Sequence, residues 1–266
     1  MARAVGWTPS WPPASRTLGE GRPADRAAHP GPLRGRCVNG GLRIALPAGA
    51  LFEDACRLLV AAGVAEIDPA RLDRQLSLVT RLATVVKVRP TDVPVYVEMG
   101  ACDAGIVGKD ILWESPRDCY ELVDLRFGAC RLVLAAPEGS PLTRGSFPRS
   151  LRAATKYPVA ARRYFDSVGL AVELIKLHGS VELAPAMGLA DCVVDITATG
   201  RTLTANHLVE VAEAGRSTAR LISNQASLKT RSGAVNQLAA ALRRTVTDGE
   251  VSSGSPPSAG RGRSAP

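Results

Sequence analysis

From residue 42 onward the chain alternates between short β-branched apolar runs and longer stretches with a helical repeat. Leu42-Arg43-Ile44-Ala45-Leu46-Pro47 reads as a buried strand. After Ala48-Gly49-Ala50, apolar residues fall at Leu51, Ala55, Leu58, Leu59 and Ala62, one face of an amphipathic helix, and Gly63 is a natural stop past its end. Val85-Val86-Lys87-Val88 predicts a second strand. Thr91-Asp92 offers a cap for a helix running to Gly100, with Pro94 tolerated because it falls near the first turn. Ala104-Gly105-Ile106-Val107-Gly108 and Leu132-Val133-Leu134-Ala135-Ala136 are further buried strands, and a Pro/Gly/Ser-rich loop follows at 137–150.

A second series repeats the alternation. Arg152-Ala153-Ala154-Thr155 predicts a strand, and Pro158 and Gly169 bracket a helix. Val172 to Leu177 is a strand ending at His178-Gly179-Ser180, and a short helix then carries Glu182. Val193 to Ile196 is the next strand, and the chain becomes helix-compatible again by Asn206. Ala219 to Ser223 is a late strand, and 231–248 forms one helix with Val235, Leu238 and Leu242 on a face. Strands separated by helices imply βαβ units and mostly parallel sheet. Two such series, with a late strand able to return to the first, predict an α/β chain of two lobes with a cleft between them.

Composition changes this picture mainly at the ends. Of 266 residues 45% are hydrophobic, enough for one large core or two modest ones. Residues 1–41 are rich in Pro, Gly, Ala and Arg without any hydrophobic period, and 249–266 is of low complexity; both are expected to be disordered. The first forty residues hold no run like the apolar core of a secretion signal, and no window is long enough to span a membrane. The net charge of +8 includes +4 from residues 1–41 and +1 from 249–266, which leaves the body at +3. That balance suits phosphorylated small molecules and gives no footprint for nucleic acid. Six cysteines, at 37, 56, 102, 119, 130 and 192, show no CxxC spacing. This argues against a zinc site and a disulfide scaffold, and for a reduced, cytoplasmic protein.

The chemistry concentrates in Val193-Val194-Asp195-Ile196-Thr197-Ala198-Thr199-Gly200-Arg201-Thr202. An apolar strand reaches a carboxylate, breaks into a hydroxyl-rich turn and restarts as a helix. Unpaired N–H groups at a helix start attract anions, Gly200 lets the backbone approach a ligand, and Thr199, Thr202 and Arg201 add donors. Asp195 lies where open α/β sheets bind ligands, at the carboxyl end of its strand. A carboxylate beside a phosphate cradle suits a phosphorylated sugar. A Thr-capped loop between a buried strand and a helix is the alternative.

Five stretches in register resemble ATP phosphoribosyltransferase: Glu98 to Asp110, Arg126 to Leu132, Ala154 to Pro158, Lys176 to Pro185, and Asp195 to Asn206. The resemblance runs from about Leu42 to Lys229. It implies a two-lobed, periplasmic-binding-protein-like (type II) α/β fold with the active site in the cleft. Lobe I would comprise 42–130 plus 206–220, and lobe II 131–205 plus 221–248. It also implies a reaction: N1 of ATP attacks C1 of phosphoribosyl pyrophosphate, with Mg²⁺, and pyrophosphate leaves, opening histidine biosynthesis. By the same resemblance Asp195, Glu182 and Lys176 would serve catalysis. Asp195, Thr197, Thr199, Gly200, Arg201 and Thr202 would hold phosphoribosyl pyrophosphate, and Arg74, Gly108, Lys109 and Lys156 would hold ATP. Arg131 is a further candidate for pyrophosphate, while Asp103 and His178 read as structural.

Two departures stand out. Where the family usually shows Pro-Lys-Gly-Arg-Leu after the first strand, this chain has Pro47-Ala48-Gly49-Ala50-Leu51. Each lost charge-assisted phosphate contact is worth about 1.5–3 kcal/mol, and Arg43, Arg74 or a partner subunit would have to compensate. His207 stands where the family commonly has Gly. Only 37 residues follow Lys229, so the resemblance is to the short form. That form works with a regulatory partner resembling histidyl-tRNA synthetase, in a hetero-octamer. Two other classes compete: a two-lobed binding module without chemistry, and an impaired paralogue that keeps the fold but not turnover.

Overall fold

Five of the six residues of strand β1, Leu42–Pro47, are buried, because β1 is flanked on both sides by parallel neighbours. A computed structural model of the chain describes residues 41–69, 72, 75–148 and 150–249. Expectations for 1–40, for 250–266 and for Arg74 lie outside the described residues. The first sheet runs β2 (Ser77–Val79), β3 (Ala83–Val88), β1, β4 (Ala104–Gly108), β11 (Ala219–Ser223) and β5 (Tyr120–Asp124). One face is covered by α1 (Phe52–Ala61) and by the C-terminal helix α7 (Ser232–Thr247), which follows the short helix α6 (Gln225–Thr230); α1 and α7 meet Ile44, Leu46, Val85 and Ile106 through Leu58, Leu59, Val235 and Leu242. The short helix α2 (Val93–Glu98) covers the other face through Val93 and Val97. It approaches closely because position 105 has no side chain: a Cβ there would lie 2.7 Å from Val93 Cγ1. Each fully buried aliphatic side chain contributes about 1.5–3 kcal/mol, so both faces are firmly held.

The second sheet runs β10 (Leu208–Ser217), β6 (Cys130–Pro137), β9 (Cys192–Thr197), β7 (Leu151–Thr155) and β8 (Val172–Lys176). Helix α4 (Pro158–Ser167) packs Ala161 and Phe165 on one face, where Trp113 joins them from helix α3 (Lys109–Glu114). The 3₁₀ turn Val181–Leu183 and the one-turn helix α5 (Arg201–Ala205) close the other face with Val181 and Leu203. Among the described residues no helix is long and apolar enough to cross a membrane.

Several expectations change. The segment carrying Glu182 is a 3₁₀ turn, not an α-helix. The sheets are mixed, since β2, β5, β6, β10 and β11 all pair antiparallel. Asp92 is the N-cap of α2 by position, but its side chain caps no amide. The lobe boundaries also move. Strand β10 runs beside β6 from Leu208↔Pro137 to Ser217↔Cys130, so 208–217 belongs to the second sheet, not to lobe I. Strand β11 sits between β4 and β5, and α7 packs on that same first sheet, so 219–247 is not part of lobe II. Charged residues at Glu210, Glu213 and Arg216 mask β10 in the sequence, because an edge strand needs few apolar positions.

Candidate active site

Three parallel strands of the second sheet, β8, β7 and β9, end side by side and build one wall of the site. Thr155 is fully buried at the end of β7; its hydroxyl accepts from Tyr157 N at 2.9 Å, and Leu177 N donates to its carbonyl at 2.9 Å. These bonds fix where Lys156 and Tyr157 leave β7 and where Leu177 and His178 leave β8. Asp195, on β9, is buried at 7% exposure. Its Oδ1 accepts from Ile196 N at 2.8 Å, and Lys156 Nζ lies 3.9 Å from its Oδ2. Burial raises its pKa, and Glu182 nearby pushes the same way, while the Ile196 amide and Lys156 oppose the shift. The sequence-predicted Asp195, Glu182 and Lys156 are thus brought together. Lys176 stands at the register position opposite Thr155, one strand away.

The turn after β9 is shaped by the Thr197 hydroxyl and by the backbone at Gly200. Gly200 N donates to Thr197 Oγ1 at 2.7 Å, and Gly200 takes φ +74°, a left-handed conformation that favours glycine. A Cβ at Gly200 would also sit 3.3 Å from Glu210 Oε1. Behind it α5 begins with Arg201 and Thr202, both exposed, and the Thr202 carbonyl accepts from Asn206 Nδ2 at 2.8 Å. Thr199 is exposed on the same turn. The side chains of Thr199, Arg201 and Thr202 are therefore open to solvent, whereas Thr197 Oγ1 and Gly200 N bond each other and shape the turn.

The opposite wall comes from the first sheet. A cavity of about 230 Å³ is lined by Thr91, Ile111, Glu114 and Ser115 on that side and by Lys156, Tyr157, Lys176 and His178 on the other. Two ammonium groups, a carboxylate, a phenol and apolar walls suit a ligand with a flat apolar part and anionic groups. Glu114 is held above the usual carboxylate range by burial, which outweighs its bonds from Ala160 N and Val159 N and the nearby Lys176 and Arg163. Tyr157 is pushed up by burial and by the carboxylates of Asp110 and Asp195. Glu114 and Tyr157 were not singled out in the sequence. Glu114 lies four residues beyond the Glu98 to Asp110 stretch, and Tyr157 lies within Ala154 to Pro158, where its apolar ring gave no sign of chemistry.

Other candidates sit elsewhere. Gly108 ends β4 as the N-cap of α3 and is buried. Lys109 is ion-paired with Glu121 of β5 and does not line the cavity. Arg131 is clamped by Glu210 at 2.7 and 2.9 Å, so its charge is used within the β6–β10 pair. Asp103 is a buried hub, accepting from Arg43 N, Ser227 Oγ and Arg231 Nη1, which matches its structural reading. His178, read as a structural hydrogen-bonding histidine, is exposed at the cavity rim. Arg43 donates to Gly100 O at 2.8 Å near the start of β1, the end opposite Ala48 and Ala50, so it cannot replace their missing charges. That loop instead borders a second cavity together with Phe52, Arg57 and Lys87, whose ammonium stacks 4.0 Å over the Phe52 ring. His207 adopts φ +55°, which explains why glycine suits that position and costs a non-glycine residue about 1–2 kcal/mol.

Residues 89–244 match the family model described as ATP phosphoribosyltransferase. The chain is 50% identical over 207 residues to an ATP phosphoribosyltransferase of Rubrobacter xylanophilus, covering 77% of this chain and 96% of that one. Among solved structures, the ATP phosphoribosyl transferase (HisG:HisZ) complex from Thermotoga maritima aligns with TM-score 0.66 and 34% identity, covering 78% of this chain and 99% of that chain. The periplasmic aliphatic sulphonate binding protein SsuA from Escherichia coli aligns with TM-score 0.51 at 11% identity over 79% of this chain and 74% of its own, a likeness of fold alone. The fold is therefore two-lobed and periplasmic-binding-protein-like, and the chain belongs to the ATP phosphoribosyltransferase family.

Proposed function

We propose that the cleft between the two sheets is where this transferase joins N1 of ATP to C1 of phosphoribosyl pyrophosphate and releases pyrophosphate, the first step of histidine biosynthesis. The observation that carries the reading is the convergence of Asp195, the open Thr197–Thr202 turn, Lys156 and Lys176 at neighbouring strand ends. Displacement at an anomeric carbon proceeds through an oxocarbenium-like transition state. It needs positioning and charge stabilisation more than covalent help. In this reading the turn holds the 5′-phosphate through the side chains of Thr199, Arg201 and Thr202, with Gly200 shaping the loop that presents them. Asp195 accepts from the ribose hydroxyls. Lys156 and Lys176 face the departing pyrophosphate or the triphosphate, and the apolar walls at Ile111 and Tyr157 take the adenine.

A divalent cation would draw few of its ligands from the protein at this site. Among the described residues no group of three His, Cys, Asp or Glu side chains is gathered to hold a metal. Two carboxylates that feel each other, Asp195 and Glu182, lie beside the cradle. That donor set suits Mg²⁺, which keeps waters and phosphate oxygens and takes one or two carboxylates. The ion would neutralise charge on the leaving pyrophosphate.

We further infer a regulatory partner resembling histidyl-tRNA synthetase, in a hetero-octamer. The Thermotoga chain, matched over 99% of its length, was solved as a complex. A cytoplasmic setting is supported by the five described cysteines, all free.

Pyrophosphate release from ATP and phosphoribosyl pyrophosphate with Mg²⁺, alone and with the partner, tests the reading. Turnover that rises with the partner is expected; no turnover in either case overturns it. Ala48 and Ala50 favour one second reading, an impaired enzyme, with Lys87 the basic side chain nearest in kind on that cavity. Restoring Lys and Arg at 48 and 50 should then raise activity at least tenfold, roughly the worth of one charge-assisted contact; an unchanged rate removes this second reading.

A further inference from the structure

The carboxylate of Glu114 joins elements of the two sheets across the cleft. Helix α4 starts with Pro158, which has no N–H, and no side chain of its own caps it. The next two amides, Val159 N and Ala160 N, both donate to Glu114 Oε2, at 2.9 and 3.2 Å. Glu114 belongs to α3, which continues directly from β4 of the first sheet. The other end of α3 is tied to the lobe crossover: Lys109 N donates to Thr218 O at 3.0 Å, Asp110 N to Ser217 Oγ at 3.0 Å, and Ser217 Oγ to Asp110 Oδ1 at 2.8 Å. Trp113 is buried in the core of the second lobe and lies against Gly215, where a Cβ would meet it at 3.0 Å. So α3 is covalently part of one lobe and packed into the other, and its last residue caps the helix that Lys156 and Tyr157 lead into.

From this geometry we propose that Glu114 is a positioning residue for phosphoribosyl transfer: by capping α4 from α3 it fixes Lys156 and Tyr157 relative to Lys176 and Asp195. The inference rests on the cleft being the site of reaction. Only one of its carboxylate oxygens receives the two amides, and the residue also lines the cavity. A neutral acceptor of the same shape would keep the cap, whereas a methyl group would release it. A displacement of reacting groups by about 1 Å can cost on the order of a hundredfold in rate.

The test compares Glu114→Ala and Glu114→Gln with the native enzyme in full kinetics, with amide hydrogen exchange at Val159 and Ala160 and thermal unfolding read in parallel. For Glu114→Ala we expect kcat to fall about tenfold or more with little change in either KM, and exchange at the two amides to accelerate. Glu114→Gln should restore both to within about threefold, since its carbonyl still accepts. Native kcat and exchange in Glu114→Ala overturn the proposal. So does a folded Glu114→Gln as impaired as Glu114→Ala, because the charge would then be acting on substrate. Should Glu114→Ala fail to fold, near-native kcat in Glu114→Gln supports the proposal and its loss overturns it. Lys156→Ala serves as control: full activity there removes the cleft reading and this inference with it, whereas lost activity there beside native kinetics in Glu114→Ala removes this inference alone.

Discussion

Replacing Asp195 by Asn separates function from stability in opposite directions. The side chain is 10% exposed and its Oδ1 accepts one backbone amide, a bond that an Asn carbonyl can keep. What Asn removes is an ionised group whose pKa burial has raised, together with a Lys156 contact at 3.9 Å. The Lys156 side chain is 36% exposed, and such a partly solvated pair at that distance contributes about 1 kcal/mol at most. Because the folded pKa lies above the unfolded one, the ionised carboxylate costs stability; the cost is absent below the ordinary Asp range and complete above the raised value. Asp195→Asn should therefore be as stable as the native chain or more so at neutral pH, and the two should converge in acid. Activity should move the other way. Losing one charge-assisted bond to a ribose hydroxyl is worth about 1.5–3 kcal/mol, or roughly 10- to 150-fold in kcat/KM. Pyrophosphate release at varied phosphoribosyl pyrophosphate, with thermal unfolding at pH 4 and 7, reads both quantities. A melting temperature at pH 7 that drops with the activity would make Asp195 a structural carboxylate and refute the reasoning.

Three further outcomes follow from particular contacts. Gly200→Ala forces a side chain into φ +74° and against Glu210, which Arg131 holds in place; about 1–2 kcal/mol of strain should raise KM for phosphoribosyl pyrophosphate roughly five- to thirtyfold, and an unchanged KM counts against the cradle. Leu242→Ala empties a fully buried position between α7 and the first sheet, and should cost about 2–5 kcal/mol in denaturant unfolding; a loss under about 1 kcal/mol would mean α7 is dispensable. Asp191 is held below its ordinary pKa first by the Arg152 side chain and then by the Arg152 amide, so its stabilisation is present above the ordinary Asp range and is lost as pH falls through the lowered value. Arg152→Ala should start acid unfolding at a higher pH, and an identical acid limb would exclude that pair as a contributor.

What the sequence disclosed and what it hid divide along physical lines. The strands ending at Pro47, Gly108, Thr155, Lys176 and Thr197 were legible because their runs are apolar and bounded by turn residues. The Asp195 to Thr202 turn was legible as a strand–turn–helix junction because Gly200 and its flanking threonines interrupt an apolar run before a helix start. Strand β10 was not, since an edge strand facing solvent with Glu210, Glu213 and Arg216 has no apolar run to betray it. The same strand decided the fate of Arg131, whose partner lies 79 residues away, a distance over which spacing carries no signal. Glu114 escaped for the same reason: its charge looks like a solvated helix end until α4 is placed beside it.

The chain crosses between the sheets twice, between Asp124 and Cys130 and again at Thr218, and the two crossings touch, with Thr218 Oγ1 donating to Asp124 Oδ1 at 2.7 Å. The second lobe is therefore an unbroken insertion into the first. On the ribosome this dictates an order of events. Residues 130–217 and α3 have emerged before β11 and α7 exist, so the second lobe can fold while the first still lacks an interior strand and the helix that covers it. Until residue 247 is made, the faces of Leu58, Leu59 and Ile106 that await α7 stay open, and it is the nascent first lobe, not the inserted second, that needs shelter during synthesis.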